Sequence, residues 1–235
     1  QEVDVKVFSI SGLSFDNPRE RIKLSIQQNG RTDNQRFLPL SEDKGVELVF
    51  NFRKENIFDG GNIFRTFDFT SLRQRSNFVE NIDYIGGENI VRLRMEELKA
   101  RSPFVSQNDL RGMYHIRNEF DDNASLCSDY AWVYFYLPMP LSLEGSYYVI
   151  GDLTDWRFSE QNKFVFDNTL NQYVLRLLLK QGYYNYQILY LPYGHTQGSY
   201  REVEGNHSEA KNRYNLFLYY REPGNDYDSF IGYST

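Results

Sequence analysis

A tryptophan, Trp156, follows a short polar turn at the end of a strand-like run, within the stretch Tyr147 to Ser159. The run Val149-Ile150-Gly151-Asp152 is followed by three residues and then by this indole. An indole has a large apolar face, and a pyranose ring can stack on such a face when the side chain is exposed. The same side chain could instead cap a hydrophobic core. The pattern therefore allows either a sugar platform or a structural corner.

Histidines and serines of this chain do not form a recognisable catalytic or metal motif. The histidines lack a His or carboxylate partner at metal-ligand spacing, and they are His115, His195 and His207. The sequence also has no G-x-S-x-G stretch, which would mark a nucleophile elbow. We therefore expect a non-enzymatic protein that holds no metal and no cofactor.

Carboxylates and the single cysteine have simple structural interpretations. Paired acidic residues occur at Asp121-Asp122 and at Glu202 and Glu204. Both pairs lie in polar connections, where solvated charge is the expected role. Cys127 has no second cysteine with which to form a disulfide or a zinc site. We expect it to be a small buried hydrophobe.

Composition indicates a globular β-protein and argues against a nucleic-acid partner. Aromatic residues make up 17% of the 235 residues, and such residues favour strands. The net charge is −6, so the chain lacks the basic surface that phosphate backbones attract. No apolar run reaches the length of a membrane-spanning helix. A signal peptide is also missing, so we expect any export signal to be removed or to lie outside this chain.

Short strand patterns recur along the sequence with turns between them. The first covers Val3 to Ile10, and Tyr214 to Arg221 is expected to be the last. Between them, Tyr130 to Leu137 is nearly continuous in bulky β-formers. This spacing predicts an all-β fold of two immunoglobulin-like β-sandwich domains, residues 1–124 and 125–235. The polar stretch of residues 118–128 is the expected linker or long connection.

The second predicted domain resembles the glycogen-binding and early-set immunoglobulin-like modules. The resemblance rests on the Gly151-to-Trp156 pattern and on Gly182-x-Tyr184-x-Tyr186. A glucan site at Trp156 and Tyr184 is therefore an alternative function. Such modules usually carry a Lys where this chain has Gln187, and a second Trp shortly after it, which is missing here. We accordingly expect Trp156 to be a buried or corner-packed indole.

A larger set of motifs, spread over most of the chain, resembles the type IX secretion system plug protein family. The motifs run from Gln27 to Arg31, Phe58 to Asp68, Asp129 to Val133, Leu179 to Tyr186, Glu204 to His207, Tyr219 to Arg221 and Tyr227 to Gly232. The family usually has an additional N-terminal sandwich, so the chain resembles its C-terminal two-thirds.

That resemblance implies an exported protein of the periplasm in a diderm bacterium. The family role is to bind the periplasmic end of the outer-membrane translocon barrel and to close the pore when no substrate occupies it. Pore closure needs a rigid body with a broad binding face and no catalytic pocket. We expect a monomer or a transient complex, without nucleic acid and without a transmembrane segment.

Tyrosines and arginines are enriched at the energetic centres of protein interfaces. The candidate partner-binding residues, all expected in exposed loops, are Tyr193, Tyr200, Arg201, Tyr220, Arg221 and Tyr227. Each tyrosine could instead line a face of a sandwich. A third possible function is an accessory domain whose catalytic partner lies elsewhere in a longer protein.

Overall fold

The structure of the protein is a computed structural model and describes residues 1–9, 15–95, 97–120 and 123–235. In this part of the chain, strands dominate and helical segments are short, so the predicted all-β fold is confirmed. In chain order the strands are β1 (Val5–Phe8), β2 (Ile22–Gln28), β3 (Arg36–Leu38), β4 (Glu42–Asp43), β5 (Glu47–Phe50), β6 (Arg65–Asp68), β7 (Val79–Ile85), β8 (Glu88–Leu93), β9 (Tyr114–Ile116), β10 (Tyr130–Leu137), β11 (Gly145–Ile150), β12 (Val165–Asp167), β13 (Gln172–Lys180), β14 (Gly182–Pro192), β15 (Tyr214–Tyr220) and β16 (Ser229–Ser234). The helical segments are α1 (Pro18–Arg21), α2 (Ala124–Cys127) and 3-10 turns at Lys54–Asn56, Lys99–Arg101 and Asp152–Thr154.

The ends of two predicted strands differ from the structure or cannot be compared with it. Ile10, the expected end of the first strand, lies outside the described residues. The acidic pair Asp121-Asp122 also lies outside them. The prediction that the chain's last strand is Tyr214 to Arg221 is wrong, because β16 follows it and pairs with it, with Tyr233 opposite Phe217.

None of the helices in the described ranges has the length and apolar character that crossing a bilayer requires.

The chain divides into two compact units, but not at the predicted boundary between residues 124 and 125. Unit 1 comprises residues 1–60 and 211–235, and unit 2 comprises residues 61–210. The predicted boundary is wrong because it separates strands of one sheet. Strand β8 pairs in parallel with β10, with Val91 beside Val133. Residues 118–128 therefore lie within unit 2, so of the two expectations the long connection is right and the linker between domains is wrong.

Unit 1 is a small sandwich built from both ends of the chain. Its sheets have the strand orders β1-β5-β4 and β16-β15-β2-β3. Strand β2 pairs with β15, so that Leu24 lies opposite Leu218 and Ile26 opposite Leu216. Alternate residues of these strands face the core, as the pleat of a half-buried strand requires. The core side chains come from both sheets and are Val5, Ile22, Leu24, Ile26, Leu38, Leu40, Leu48, Phe50 and Phe58.

Unit 2 is a larger sandwich. One sheet has the order β12-β13-β10-β8-β7, and the other has the order β11-β14-β6 with β9 also paired to β14. Along β10, Ala131, Val133, Phe135 and Leu137 are buried, and the residues between them are more exposed. Strand β14 contributes Tyr184, Tyr186, Ile188 and Tyr190 to the same core.

The sheet of β11 and β14 is covered on both faces, and this second layer positions Trp156. Its face turned away from the main core carries Tyr148, Ile150 and Leu189, which pack with Phe64, Trp156 and Tyr200. All six residues of β11 are buried. A strand buried on both faces has a continuous apolar sequence without alternation, and this explains the run Tyr147 to Ile150.

Candidate functional site: an aromatic interaction surface

Trp156 ends a tight turn that follows β11. After the 3-10 turn Asp152–Thr154, both Asp155 and Trp156 have left-handed backbone conformations, with φ of 50° and 56°. The Trp156 side chain is 7% exposed and meets Phe64 edge-on, with ring centroids 6.0 Å apart. Its backbone N–H donates to the Gly151 carbonyl at 3.0 Å. The expectation of a corner-packed indole is confirmed.

Tyr184 is also part of the interior. Its side chain is 2% exposed and stacks on Phe67, with centroids 5.0 Å apart and rings nearly parallel. The hydroxyl donates to the Lys180 carbonyl at 2.5 Å, and burial raises the pKa of this hydroxyl above its ordinary value. Because neither Tyr184 nor Trp156 presents a ring face to solvent, the alternative glucan site at these two residues is wrong.

We therefore predict that the protein does not bind maltooligosaccharides through Trp156. In native affinity electrophoresis, its mobility is expected to be the same in a gel that contains maltooligosaccharide and in one that lacks it. Bovine serum albumin run in both gels controls for effects of the matrix. Retardation of this protein alone would contradict the prediction.

Glu204 lies in a buried polar network and not in a solvated turn, so the expectation for this carboxylate is wrong. Its side chain is fully buried and accepts from Arg65 Nε at 2.8 Å and from the backbone N–H of Ile188 at 2.8 Å. The Asn62 side chain donates to the Glu204 carbonyl at 2.7 Å. Gln187 donates in turn to the Asn62 carbonyl at 2.9 Å. These contacts tie two of the sequence motifs, residues 58–68 and 204–207, to β14.

Residues with catalytic or metal-binding potential remain dispersed. Across the described ranges, no group of three His, Cys, Asp or Glu side chains is placed to hold a metal ion. His207 packs on Phe104, with ring centroids 5.5 Å apart, and His115 and His195 are exposed. Cys127 is exposed, and the expectation that it is buried is wrong. It lies at the end of α2, a single turn without buried residues.

A group of exposed and half-buried aromatic rings lies on the outer face of the larger sheet of unit 1. We call it the aromatic face, and its members are Phe37, Phe217, Tyr219, Phe230 and Tyr233. Phe37 and Phe230 are each 58% exposed, and Tyr233 is 56% exposed. Phe217 packs on Tyr233 with centroids 5.3 Å apart, and Tyr219 packs on Phe230 at 5.6 Å. A group of exposed apolar rings on one face of a sheet is typical of an interaction site.

The sheet register brings these rings together. On β15, Leu216, Leu218 and Tyr220 contact the core of unit 1. Phe217 and Tyr219 alternate with them and therefore face outward. Phe217 lies opposite Tyr233 on β16 and opposite Ser25 on β2. Ser25 is in turn opposite Phe37 on β3. Strands β3, β15 and β16 thus place aromatic rings on the same outward side of the sheet.

Charged groups lie beside the aromatic face. Asp228 accepts from Arg221 Nε at 2.8 Å and from Lys23 Nζ at 2.5 Å. Arg221, and then Lys23, hold the pKa of the Asp228 carboxyl below its ordinary value, so the group is anionic at neutral pH. An aromatic centre with a polar border is the usual composition of a protein–protein interface.

Comparison with known proteins supports the fold. The chain matches no family model and no curated protein. A crystal structure of a hypothetical protein from Parabacteroides merdae ATCC 43184 is similar to it, with a TM-score of 0.95 and 28% sequence identity. The similarity covers 99% of this chain and 59% of that protein, so the chain spans about three fifths of the length of its structural neighbour. The two proteins share one fold.

The structure separates the candidate partner-binding residues chosen from the sequence. Tyr193, Arg201 and Tyr227 are exposed, as expected, and Arg221 borders the aromatic face. The expectation of exposed loops is wrong for two tyrosines. Tyr200 is buried, and its ring lies so close to Gly61 that a side chain at position 61 would contact it. Tyr220 packs on Phe15 at the core of unit 1.

Proposed function

We propose that this protein is an exported, non-enzymatic component of the periplasm that binds the outer-membrane translocon of a type IX secretion system. In this proposal it closes the periplasmic end of the pore while no substrate occupies it. The resemblance of the ordered sequence motifs to the plug protein family suggests the partner. The aromatic face of unit 1 is the observation that carries the proposal, because it provides a broad surface suited to a protein partner.

The aromatic face fits such a role for a physical reason. Burying one large aromatic side chain removes roughly 150–250 Å² of surface from water. Tyr and Trp side chains also lose little conformational entropy when they are fixed at an interface. The rings of Phe217 and Tyr219 are already held by Tyr233 and Phe230. A partner that covers this face would thus gain apolar burial against a preorganised surface.

The test is recovery of the outer-membrane translocon by the tagged protein from detergent-solubilised membranes, under substrate-free conditions. We expect wild-type protein to recover the translocon. The double variant Phe230→Ser with Tyr233→Ser is expected to lower the affinity at least tenfold, because truncating interface aromatics commonly costs more than about 1 kcal/mol each. Both side chains lie on the edge strand β16 and are exposed, so the fold should tolerate the change.

Tyr84→Ser is the matched control. Tyr84 is an exposed aromatic residue on β7, an edge strand of unit 2, and it is not part of the aromatic face. It should leave recovery unchanged. Failure of wild-type protein to recover the translocon would refute the proposed partner. Equal recovery by wild type and the double variant would refute the role of the aromatic face.

A further inference from the structure

A second exposed surface lies on unit 2 and combines aromatic rings with cations. Because alternate residues of β10 enter the core, the others face outward from the five-stranded sheet. Three of these outward rings each lie beneath a cationic group from β8 or β13. We call this surface the cation–aromatic face, and it comprises Tyr130, Trp132, Tyr134, Arg92, Arg176 and Lys180.

The cations cover the rings at short range. Arg176 Cζ lies 4.9 Å from the Trp132 ring centroid, and Arg92 Cζ lies 5.6 Å from that of Tyr134. Lys180 Nζ lies 5.4 Å from the Tyr130 centroid. A ring face occupied by a cation is not open for a sugar to stack on. A guanidinium held over a ring still presents N–H donors that can bind a carboxylate in a bidentate manner.

The cations of this surface differ in whether they already have an anionic partner. Arg92 forms an ion pair with Asp83. In contrast, no carboxylate among the described residues forms an ion pair with Arg176 or with Arg157. Both arginines line a groove of about 640 Å³ beside Trp132, and among the described residues Asp155 is the one carboxylate that lines it. Within the lining of this groove, two guanidiniums therefore face one carboxylate.

Apolar side chains lie next to the charged ones in a regular order. Ile90, Trp132 and Leu178 form one row across β8, β10 and β13. The next outward row is Arg92, Tyr134 and Arg176. Successive outward rows of a sheet are about 7 Å apart, which is also the spacing of every second side chain in an extended peptide.

We propose that the cation–aromatic face and the adjoining groove together bind an extended, acidic and apolar segment of a partner protein. Carboxylates of that segment bind Arg176 and Arg157, and its apolar side chains pack on Leu178 and Ile90 on either side of Trp132. Charge complementarity selects the acidic character, and the apolar row favours a peptide over a purely anionic polymer. This binding does not depend on the aromatic face of unit 1 or on the translocon.

A fluorescein-labelled peptide in which leucine and glutamate occupy alternate outward positions, separated by serines, tests the proposal by fluorescence anisotropy. We expect wild-type protein to bind it, with weaker binding at high salt because ionic strength screens exposed charges. The same peptide with lysine in place of glutamate should not bind. Arg176→Gln and Arg157→Gln should each weaken binding about tenfold, the effect of losing one charge-assisted hydrogen bond.

Arg73→Gln provides the matched control. Arg73 also lies over an exposed aromatic ring, that of Phe120 at 5.1 Å, but it belongs to the loop between β6 and β7. This variant should bind the peptide as wild type does. The proposal is overturned if the acidic peptide does not bind, or if Arg176→Gln and Arg73→Gln have equal effects. It is also overturned if dextran sulfate or phosphatidylglycerol vesicles bind at Arg176 while the peptide does not.

Discussion

Replacing Arg65 by methionine is expected to lower the free energy of unfolding of this protein by about 3–5 kcal/mol. Arg65 Nε and Glu204 Oε1 are 2.8 Å apart, and both side chains are almost completely buried. Methionine fills a similar volume but leaves the Glu204 carboxylate without its cationic partner. An unpaired buried charge is strongly unfavourable. Urea denaturation followed by circular dichroism measures the difference.

Two further variants show whether the buried charge is the cause. In Arg65→Met with Glu204→Gln, the glutamine retains an oxygen for the Ile188 N–H and removes the charge. This double variant should recover a large part of the lost stability. Arg94→Met is the surface control, because its partner Glu80 lies 3.6 Å away and both side chains are more than half exposed. It should change the free energy of unfolding by less than about 1 kcal/mol. If Arg65→Met is no more destabilising than Arg94→Met, the buried ion pair does not support the fold.

The strands of this protein were more predictable from its sequence than their pairing. The strand-forming character of residue types is a local property, and it predicted β10 and β15 closely. Pairing is not local, since β2 joins β15 from the other end of the chain. Residues 118–128 have the composition of a linker, although β8 and β10 on either side belong to one sheet. A single sequence carries no signal for that contact, because it is made by packing between distant residues.

The aromatic face was missed for a related reason. Residues Leu216 to Tyr220 are all apolar or aromatic, so their sequence does not indicate which side faces the core. The neighbouring strand does carry that signal, because Ile22, Leu24 and Ile26 alternate with Lys23 and Ser25. The orientation of β15 follows from the alternation on β2 only when the pairing register of the two strands is known. A shift of that register by one residue would exchange the core side and the solvent side of β15. Selection by residue type therefore chose Tyr220, which packs inward, and passed over Tyr219, which faces outward.

Buried polar residues were also difficult to recognise. Glu204 and Arg65 are 139 positions apart in sequence, and each occurs in a segment rich in polar residues or glycine. Their mutual burial depends on the loop of residues 200–205 closing over β14, where Ile188 donates to Glu204. The structural role of Trp156 was easier to predict, because the residues that would complete a glucan site are missing from the sequence.

Trp156→Ala is expected to lower the free energy of unfolding by about 3–5 kcal/mol, the usual cost of truncating a buried aromatic side chain. The indole fills the space between Phe64 and Gly112. A Cβ atom added at Gly112 would approach the Trp156 ring to 2.2 Å, so the ring lies directly against this backbone. Gly112 also has a φ of +81°, a conformation that L-residues rarely adopt. Gly112→Ala should therefore be destabilising as well, through steric overlap and backbone strain.

Trp132→Ala is the matched control, since the chain has two tryptophans and Trp132 lies half-buried on the outside of its sheet. We expect it to lower the free energy of unfolding by about 1 kcal/mol, because a surface substitution leaves no closed cavity. Urea denaturation measures the stability of the Trp156→Ala, Gly112→Ala and Trp132→Ala variants. Native electrophoresis in maltooligosaccharide gels then distinguishes a packing role of the indole from a sugar-binding role. A stable Trp156→Ala variant with altered mobility in the sugar gel would identify Trp156 as a ligand platform. If Trp156→Ala instead loses much of its stability while its mobility in the sugar gel is unchanged, the role of Trp156 is to pack against the outer face of the β11–β14 sheet.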